Sequence, residues 1–218
     1  MIKGAIFDAD GTLLDSMGMW DTVGDRYLAS LGVTARPGLR AELFPLSLAE
    51  CAVYLKKAYS LALSHQAIEG GINDTIRSFY RSQVRAKAGA KEFLTALRER
   101  GVKLTLATAT ERSVILEGLA RTELLPLLEG VYTCGDLGMD KRSPALFHTV
   151  REKMGTEIGE TWVFEDAVHA ASTAFQAGYR VAGVADPYSD QVALRKVSHL
   201  YLADLTDVSG FYQQAQML

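Results

Sequence analysis

Cysteine, histidine and proline are all scarce in this chain of 218 residues, which holds two, four and five of them respectively. Cys51 and Cys134 stand far apart, with no Cys or His neighbour at metal-ligand spacing. That argues against a thiolate metal site and, with no secretory signal, against a disulfide, so both are read as packed thiols. No apolar run approaches the roughly 18 residues that a transmembrane helix needs, so a membrane partner is not expected. The first residues lack the charged, apolar and small-residue succession of a signal peptide, and a cytoplasmic location is expected. Neither sign of charge dominates. With 23 basic residues against 26 acidic ones, the net charge of −3 leaves no footprint for a nucleic-acid backbone. Internal repeats and low-complexity segments are missing too, which excludes a solenoid. A monomer is expected.

What is present is ordinary globular composition, 48% hydrophobic and 22% charged, in a length that suits one large domain or a core with a smaller insert. The informative stretch comes early. Ala5-Ile6-Phe7 runs into Asp8-Ala9-Asp10-Gly11, so if the apolar run ends a buried strand, the two carboxylates sit at its carboxyl end on the same side. Two anions so close repel, and such a pair persists where a divalent cation, a shared proton or a basic group compensates it. An Asp-Gly turn explains Asp10 and Gly11 but leaves Asp8 unexplained.

From Asp15 to about residue 85 the pattern is helical. Residues 39–62 and 72–84 show apolar positions at helical spacing, with breaks expected at Arg36-Pro37-Gly38 and at Gly70-Gly71. No strand pattern appears in this part. From Ala88 onward helices and strands alternate: helix over 91–100, strand over 102–107, helix over 113–121, a short strand at 131–134, helix over 144–153, strand over 162–164, helix over 169–177, and strands over 179–184 and 199–202. Such an order predicts an α/β fold, a mostly parallel sheet with helices on both faces.

A parallel sheet gathers its strand carboxyl ends on one edge, where ligands bind. Asp8 and Asp10 follow the first strand, Thr108-Ala109-Thr110 the second, and Glu165-Asp166 the Trp162 strand, while Met139-Asp140-Lys141 precedes the helix near Pro144. Carboxylates without His or Cys suit a hard cation such as magnesium. Thr108, backbone N–H groups and Lys141 suit a phosphate. Together these groups point to phosphoryl transfer, in which Asp8 can act as nucleophile and Asp10 as general acid and base.

Phe7-Asp8-Ala9-Asp10-Gly11-Thr12-Leu13-Leu14-Asp15-Ser16 resembles the first motif of the haloacid dehalogenase superfamily. Ala107-Thr108-Ala109 is similar to its second motif, Lys141-Arg142-Ser143-Pro144 to its third, and Phe164-Glu165-Asp166-Ala167 with Ala177-Gly178 to its fourth. The resemblance implies a Rossmann-like core over 1–14 and 87–218 and an inserted helical cap over 15–86. It also implies roles: Asp8 as nucleophile and magnesium ligand, Asp10 as acid/base and a ligand through its backbone carbonyl, Asp166 as a ligand, and Glu165 in the ion's immediate surroundings. Thr108 and Lys141 would hold phosphoryl oxygens, and Ala9 and Ala109 would offer backbone N–H groups.

Within the superfamily, Asp10 argues against dehalogenases and phosphonoacetaldehyde hydrolases, which lack a second aspartate. A magnesium-dependent phosphatase of a small phosphorylated metabolite is expected, with a β-phosphoglucomutase-like phosphomutase as the alternative. Trp20 stands about where such mutases carry a histidine, and Leu46-Ser47-Leu48-Ala49 replaces their Gly-x-x-Arg-like loop. Eight basic against seven acidic residues between Asp15 and Arg85 give no sign of a large polyanion as substrate. Trp20, Tyr54 and Tyr59 are read as core aromatics, and Arg26, Lys56 and Lys57 as solvated face residues. His169 is read as a surface or packing residue. The second linker, Arg85-Ala86-Lys87-Ala88-Gly89-Ala90, lacks the proline that relatives carry before the glycine, so it is expected to be loose or helical.

Overall fold

A computed structural model describes residues 1–43 and 46–217. Positions 44 and 45, inside the expected helical stretch 39–62, lie outside the described residues. The chain begins with β1 (Gly4–Phe7), β2 (Leu14–Asp15), α1 (Met17–Ser30), α2 (Leu39–Leu43), α3 (Leu48–Ala58), α4 (His65–Ser82) and β3 (Arg85–Ala86). It continues through α5 (Ala90–Glu99), β4 (Lys103–Thr108), α6 (Arg112–Arg121), β5 (Gly130–Thr133), α7 (Cys134–Leu137) and α8 (Pro144–Met154). The last elements are β6 (Thr161–Glu165), α9 (Val168–Gln176), β7 (Arg180–Val184), α10 (Gln191–Lys196), β8 (Leu200–Leu202) and α11 (Val208–Met217). Two compact units result, one of Met1–Met17 with Val84–Leu218 and one of Gly18–Gln83. Among the described residues no helix is long and apolar enough to cross a membrane.

In the first unit six strands form a sheet in the order β5-β4-β1-β6-β7-β8, and every pairing is parallel. Period two sends alternate side chains to opposite faces, and both faces are apolar because helices cover both. Phe7 and Phe164 stack at 4.3 Å on one face, where Phe93 of α5 and Phe211 of α11 close the aromatic cluster. On the other face Ile6, Ala107, Val163 and Val181 pack with Leu146, Phe147 and Val150 of α8 and with Ala170, Ala171 and Ala174 of α9. The central strand β1 is buried throughout. It therefore ends inside the protein, with Asp8 as its first residue beyond the ladder.

Three sequence expectations change here. The helical stretch begins and ends in a strand: β2 pairs antiparallel with β3, Leu14 opposite Ala86 and Asp15 opposite Arg85. Strands of two residues leave no periodicity to read. Accordingly the second linker is neither loose nor helical: β3 is paired, and Gly89 takes φ +78 as it leads into α5. A side chain on Gly89 would strike the Leu205 backbone at 2.5 Å, so glycine is needed there whether or not proline precedes it. The helices α10 and α11 have no counterpart in the sequence pattern read above.

The second unit is helical. Ser47 and Glu50 form a reciprocal capping box at the start of α3, and Ser64 caps α4. Along α4, Ile68, Ile72, Ile76, Phe79 and Tyr80 form the buried stripe. Gly70-Gly71 does not break the helix but lies within it. Gly71 is required by packing, because a Cβ would stand 2.4 Å from the buried ring of Tyr27, whereas a Cβ on exposed Gly70 would meet nothing within 4 Å. Trp20 and Tyr80 join through an indole N–H to hydroxyl bond of 2.9 Å. Arg26 is exposed yet engaged, donating to Thr22 and Gln83 and lying 5.5 Å from the Phe79 ring. Lys56, read as solvated, instead donates to the carbonyls of Leu61 and Leu63 after α3.

The two glycines of α4 should separate in a stability measurement. Gly70→Ala should raise stability by about 0.5–1 kcal/mol through helix propensity. Gly71→Ala should lower it, because the Tyr27 ring has to move. Urea unfolding monitored by far-UV circular dichroism checks both, and equal effects would show that Tyr27 does not set the helix packing.

Candidate active site

The site lies in the first unit, at the carboxyl ends of β1, β4 and β6. Asp8 is one residue past β1, and its N–H still donates to the Phe164 carbonyl at 2.9 Å. With Phe7 opposite Phe164, Asp8 is level with Glu165. Beyond Asp8 the chain turns sharply: the N–H groups of Leu13 and Leu14 both donate to the Ala9 carbonyl, at 2.9 and 2.8 Å, and Gly11 takes φ +85. That glycine has a second reason. A Cβ there would stand 2.4 Å from the Asp166 Oδ2, so only glycine lets the two acidic turns lie side by side.

Lys141 reaches the same place from β5. Thr133 caps α7, Gly138 ends it in the left-handed region, and the Asp140 carboxylate accepts the Arg142 N–H at 2.7 Å before Ser143 caps α8. The Lys141 ammonium pairs with Asp8 Oδ1 and donates to Glu165 Oε1 at 2.7 Å. The other oxygen of Glu165 accepts the Ala167 N–H at 3.2 Å. Asp166 receives the Thr12 hydroxyl on Oδ1 at 3.5 Å and the Ser189 hydroxyl on Oδ2 at 2.7 Å.

Asp8, Glu165 and Asp166 are buried and each places a carboxylate oxygen within 4.8 Å of the others. Burial pushes Asp8 up to about 7, with Lys141 opposing and Asp166 and Asp10 adding to the rise. Glu165 rises to about 7 by burial, against Lys141, and Asp166 to about 7 by burial and then by Glu165. Burial alone would depress Lys141, but Asp8 and Glu165 outweigh it and hold the ammonium well above the ordinary lysine value. Three acids thus share one ammonium and retain protons in its stead. A buried, all-oxygen set with excess negative charge has the chemistry that a hard divalent cation requires.

Asp10 is held separately. The Ser16 hydroxyl donates to its Oδ1 at 2.6 Å and the Thr110 hydroxyl to its Oδ2 at 2.5 Å. Thr108, buried at the end of β4, accepts the Thr110 N–H on its own hydroxyl at 3.1 Å, and Ala109 between them is exposed. The structure therefore brings Lys141 into contact with Asp8 and Glu165, places an Asp166 oxygen within 4.8 Å of both carboxylates, ties Asp10 to the β4 end through Thr110, and sets Thr108 and Ala109 beside them by strand register. His169 stands at the surface at the start of α9, and partial loss of water around its ring, with Arg142 and Lys141 nearby, holds its pKa below the usual histidine value. Cys51 and Cys134 are free thiols.

Ser16, Thr110, Ser189, Asp186 and Lys87 had no role in the sequence reading. Ser16 lies inside the first motif and Thr110 in the stretch after the second strand, but hydroxyls are too common to single out without their partners. Asp186 and Ser189 follow β7, a strand end like those that carry the other acids, and the apolar run 179–184 marks that strand in the sequence.

The profile of the haloacid dehalogenase-like hydrolases matches residues 5–184. Over 194 residues the chain is 24% identical to the phosphorylated carbohydrates phosphatase of Thermotoga maritima, covering 88% of this chain and 90% of that one. It is 23% identical over 212 residues to hexitol phosphatase B of Escherichia coli K12, covering 96% and 95%. Among solved structures, a Thermotoga maritima protein provisionally named a β-phosphoglucomutase superposes with a TM-score of 0.86 at 21% identity, over 98% of this chain and 99% of that one. The profile match spans most of the chain and includes the strand ends after β1, β4 and β6 together with Lys141, and the chain belongs to the haloacid dehalogenase-like hydrolase family of enzymes.

Proposed function

We propose that the protein is a magnesium-dependent phosphatase that hydrolyses a small phosphorylated metabolite through an aspartyl-phosphate on Asp8. The observation that carries this reading is the buried contact set of Asp8, Lys141, Glu165 and Asp166, with Asp10 held beside it by two hydroxyls. Asp8, Asp166 and the Asp10 backbone carbonyl would hold magnesium, with Glu165 next to them. When bound, the ion supplies positive charge against the phosphoryl oxygens and favours the ionised carboxylates. Thr108, the Ala109 N–H and Lys141 would receive the remaining phosphoryl oxygens.

In the first half-reaction an Asp8 oxygen attacks phosphorus, the bond from phosphorus to the substrate oxygen breaks, and Asp10 protonates the departing alcohol. In the second, water attacks the same phosphorus and passes its proton to Asp10. Asp8 leaves as a carboxylate, and inorganic phosphate is released. Lys141 opposes the protonation of Asp8 that burial favours, while Ser16 and Thr110 aim the Asp10 carboxyl.

The relatives named for phosphorylated carbohydrates and hexitol phosphates favour a phosphorylated sugar or polyol as substrate. The structural likeness to a protein provisionally named a β-phosphoglucomutase supports a phosphomutase as the second reading. Against it, Trp20 is occupied with Tyr80, and Ser47 with capping α3, so neither offers the base or cation that a mutase would place there. By the same reading 15–86 is a cap domain, 1–14 and 87–218 the catalytic core, and the enzyme a cytoplasmic monomer.

Asp8→Asn should lower turnover of sugar phosphates and p-nitrophenyl phosphate by about 10³-fold or more while leaving the fold intact. Survival of turnover in this variant would contradict covalent catalysis by Asp8. With glucose 1-phosphate, release of inorganic phosphate supports hydrolysis, and glucose 6-phosphate supports transfer.

The acid cluster also sets a pH dependence. Asp8, Glu165 and Asp166 are raised to about 7 in the metal-free fold, so they favour folding fully below about pH 4 and lose that contribution as pH rises through 7. Magnesium competes with those protons. The increase in melting temperature on adding magnesium should therefore be larger at pH 8 than at pH 5.5, and scanning fluorimetry measures it. Taking the increment cancels His169 and His199, whose depressed values favour folding at higher pH. An increment independent of pH would separate metal binding from these carboxylates.

A further inference from the structure

The β1–β6 ladder stops at Asp8, yet the groups whose spacing matters lie beyond it, on the turn 8–12 and the turn 165–167. Their carboxylates repel, so the sheet alone does not set their separation. A tether comes from a residue that the proposed chemistry does not use. Lys87 follows β3, and its ammonium donates to the Gly11 carbonyl at 2.6 Å and to the Ala185 carbonyl at 2.6 Å, and pairs with Asp186 Oδ2 at 2.8 Å. An ammonium has three donors, and all three are used, on two different loops. Asp186 is 1% exposed, so this ion pair sits largely out of water.

The contact continues toward the acid cluster. Asp186 is the second residue of the β7–α10 loop, its Oδ1 accepts the Tyr188 N–H at 3.0 Å, and its carbonyl accepts the Ser189 N–H at 3.1 Å. That fixed turn aims the Ser189 hydroxyl at Asp166 Oδ2, 2.7 Å away. At the other end, Gly11 lies so near Asp166 that a Cβ would stand 2.4 Å from the same oxygen. Gly11, Lys87, Asp186, Ser189 and Asp166 therefore close a ring of contacts that joins the turn after β1 to the turn after β6.

We infer that Lys87, with Asp186 and Ser189, is a positioning set that fixes the separation of Asp8 and Asp166 and thereby the affinity of the site for its divalent cation. The inference rests on the metal-site reading proposed above. Lys87 touches neither carboxylate. It acts by holding the Gly11 carbonyl against the loop that carries Ser189. Groups that orient metal ligands from behind typically change metal affinity or activity by about 10–100-fold when removed.

Magnesium binding by titration calorimetry to the full-length protein, together with the magnesium concentration giving half-maximal turnover of p-nitrophenyl phosphate, tests this in wild type, Ser189→Ala and the double variant Lys87→Met/Asp186→Asn. The double change removes both charges, so no buried charge is left alone. Magnesium affinity is expected to fall about 10–100-fold in the double variant, and to fall also in Ser189→Ala. At saturating magnesium the substrate KM should stay near the wild-type value. A purely structural ion pair would lower the metal-free melting temperature and leave magnesium affinity unchanged, which would overturn the inference. Ser189→Ala removes one hydroxyl from a loop and decides the matter if the double variant does not fold: unchanged affinity there overturns the inference too. Wild-type protein that binds no magnesium would instead sink the metal-site reading, and the positioning role with it.

Discussion

Repulsion among three buried carboxylates is the constraint that the first unit has to satisfy. Asp8, Glu165 and Asp166 lie within 4.8 Å of one another and face a single ammonium, Lys141. Taking such charges out of water is costly, and the metal-free protein answers by holding protons on acids that would ordinarily have lost them. The arrangement makes sense as a site prepared for positive charge. A cation and a phosphoryl group with its surrounding donors would complete it, which is why the cluster is chemically informative while an isolated surface acid is not.

The fold supplies this cluster by geometry that has little to do with acids. A central strand buried on both faces cannot carry polar side chains, so its chemistry begins where the strand ends. Parallel pairing brings the ends of β1, β4 and β6 to one edge, and short turns then aim the side chains. The aromatic cluster of Phe7, Phe93, Phe164 and Phe211 and the aliphatic packing on the opposite face back the sheet on both sides. Glycine at position 11 and the contacts around Lys87 keep the two acidic turns together past the last ladder bond.

Much of this was legible beforehand. Apolar strands alternating with helices announced the parallel sheet, and Asp8, Asp10, Thr108 and Asp166 stand at strand ends, so one topological rule collected them, while Lys141 was read from its place before the helix near Pro144. Elements without a long-range pattern were not legible: β2 and β3 are two residues each, and α10 and α11 pack late in the chain with few buried positions. Gly70-Gly71 misled because a glycine pair usually interrupts a helix. Only the ring of Tyr27, 44 residues earlier, explains why one of them is needed inside it. Lys87 was hidden for a similar reason: its partners come from two loops about 76 and 98 residues away in sequence.

The central claim is that the Asp8–Asp166 cluster is a divalent-cation site. Anomalous diffraction from crystals grown with manganese, a redox-quiet stand-in for magnesium, tests it most directly. The account predicts one strong peak within coordinating distance of oxygens from both Asp8 and Asp166, lost in an Asp166→Asn variant. A well-ordered site without such a peak, with Lys141 alone still neutralising Asp8 and Glu165 in an active enzyme, would contradict it.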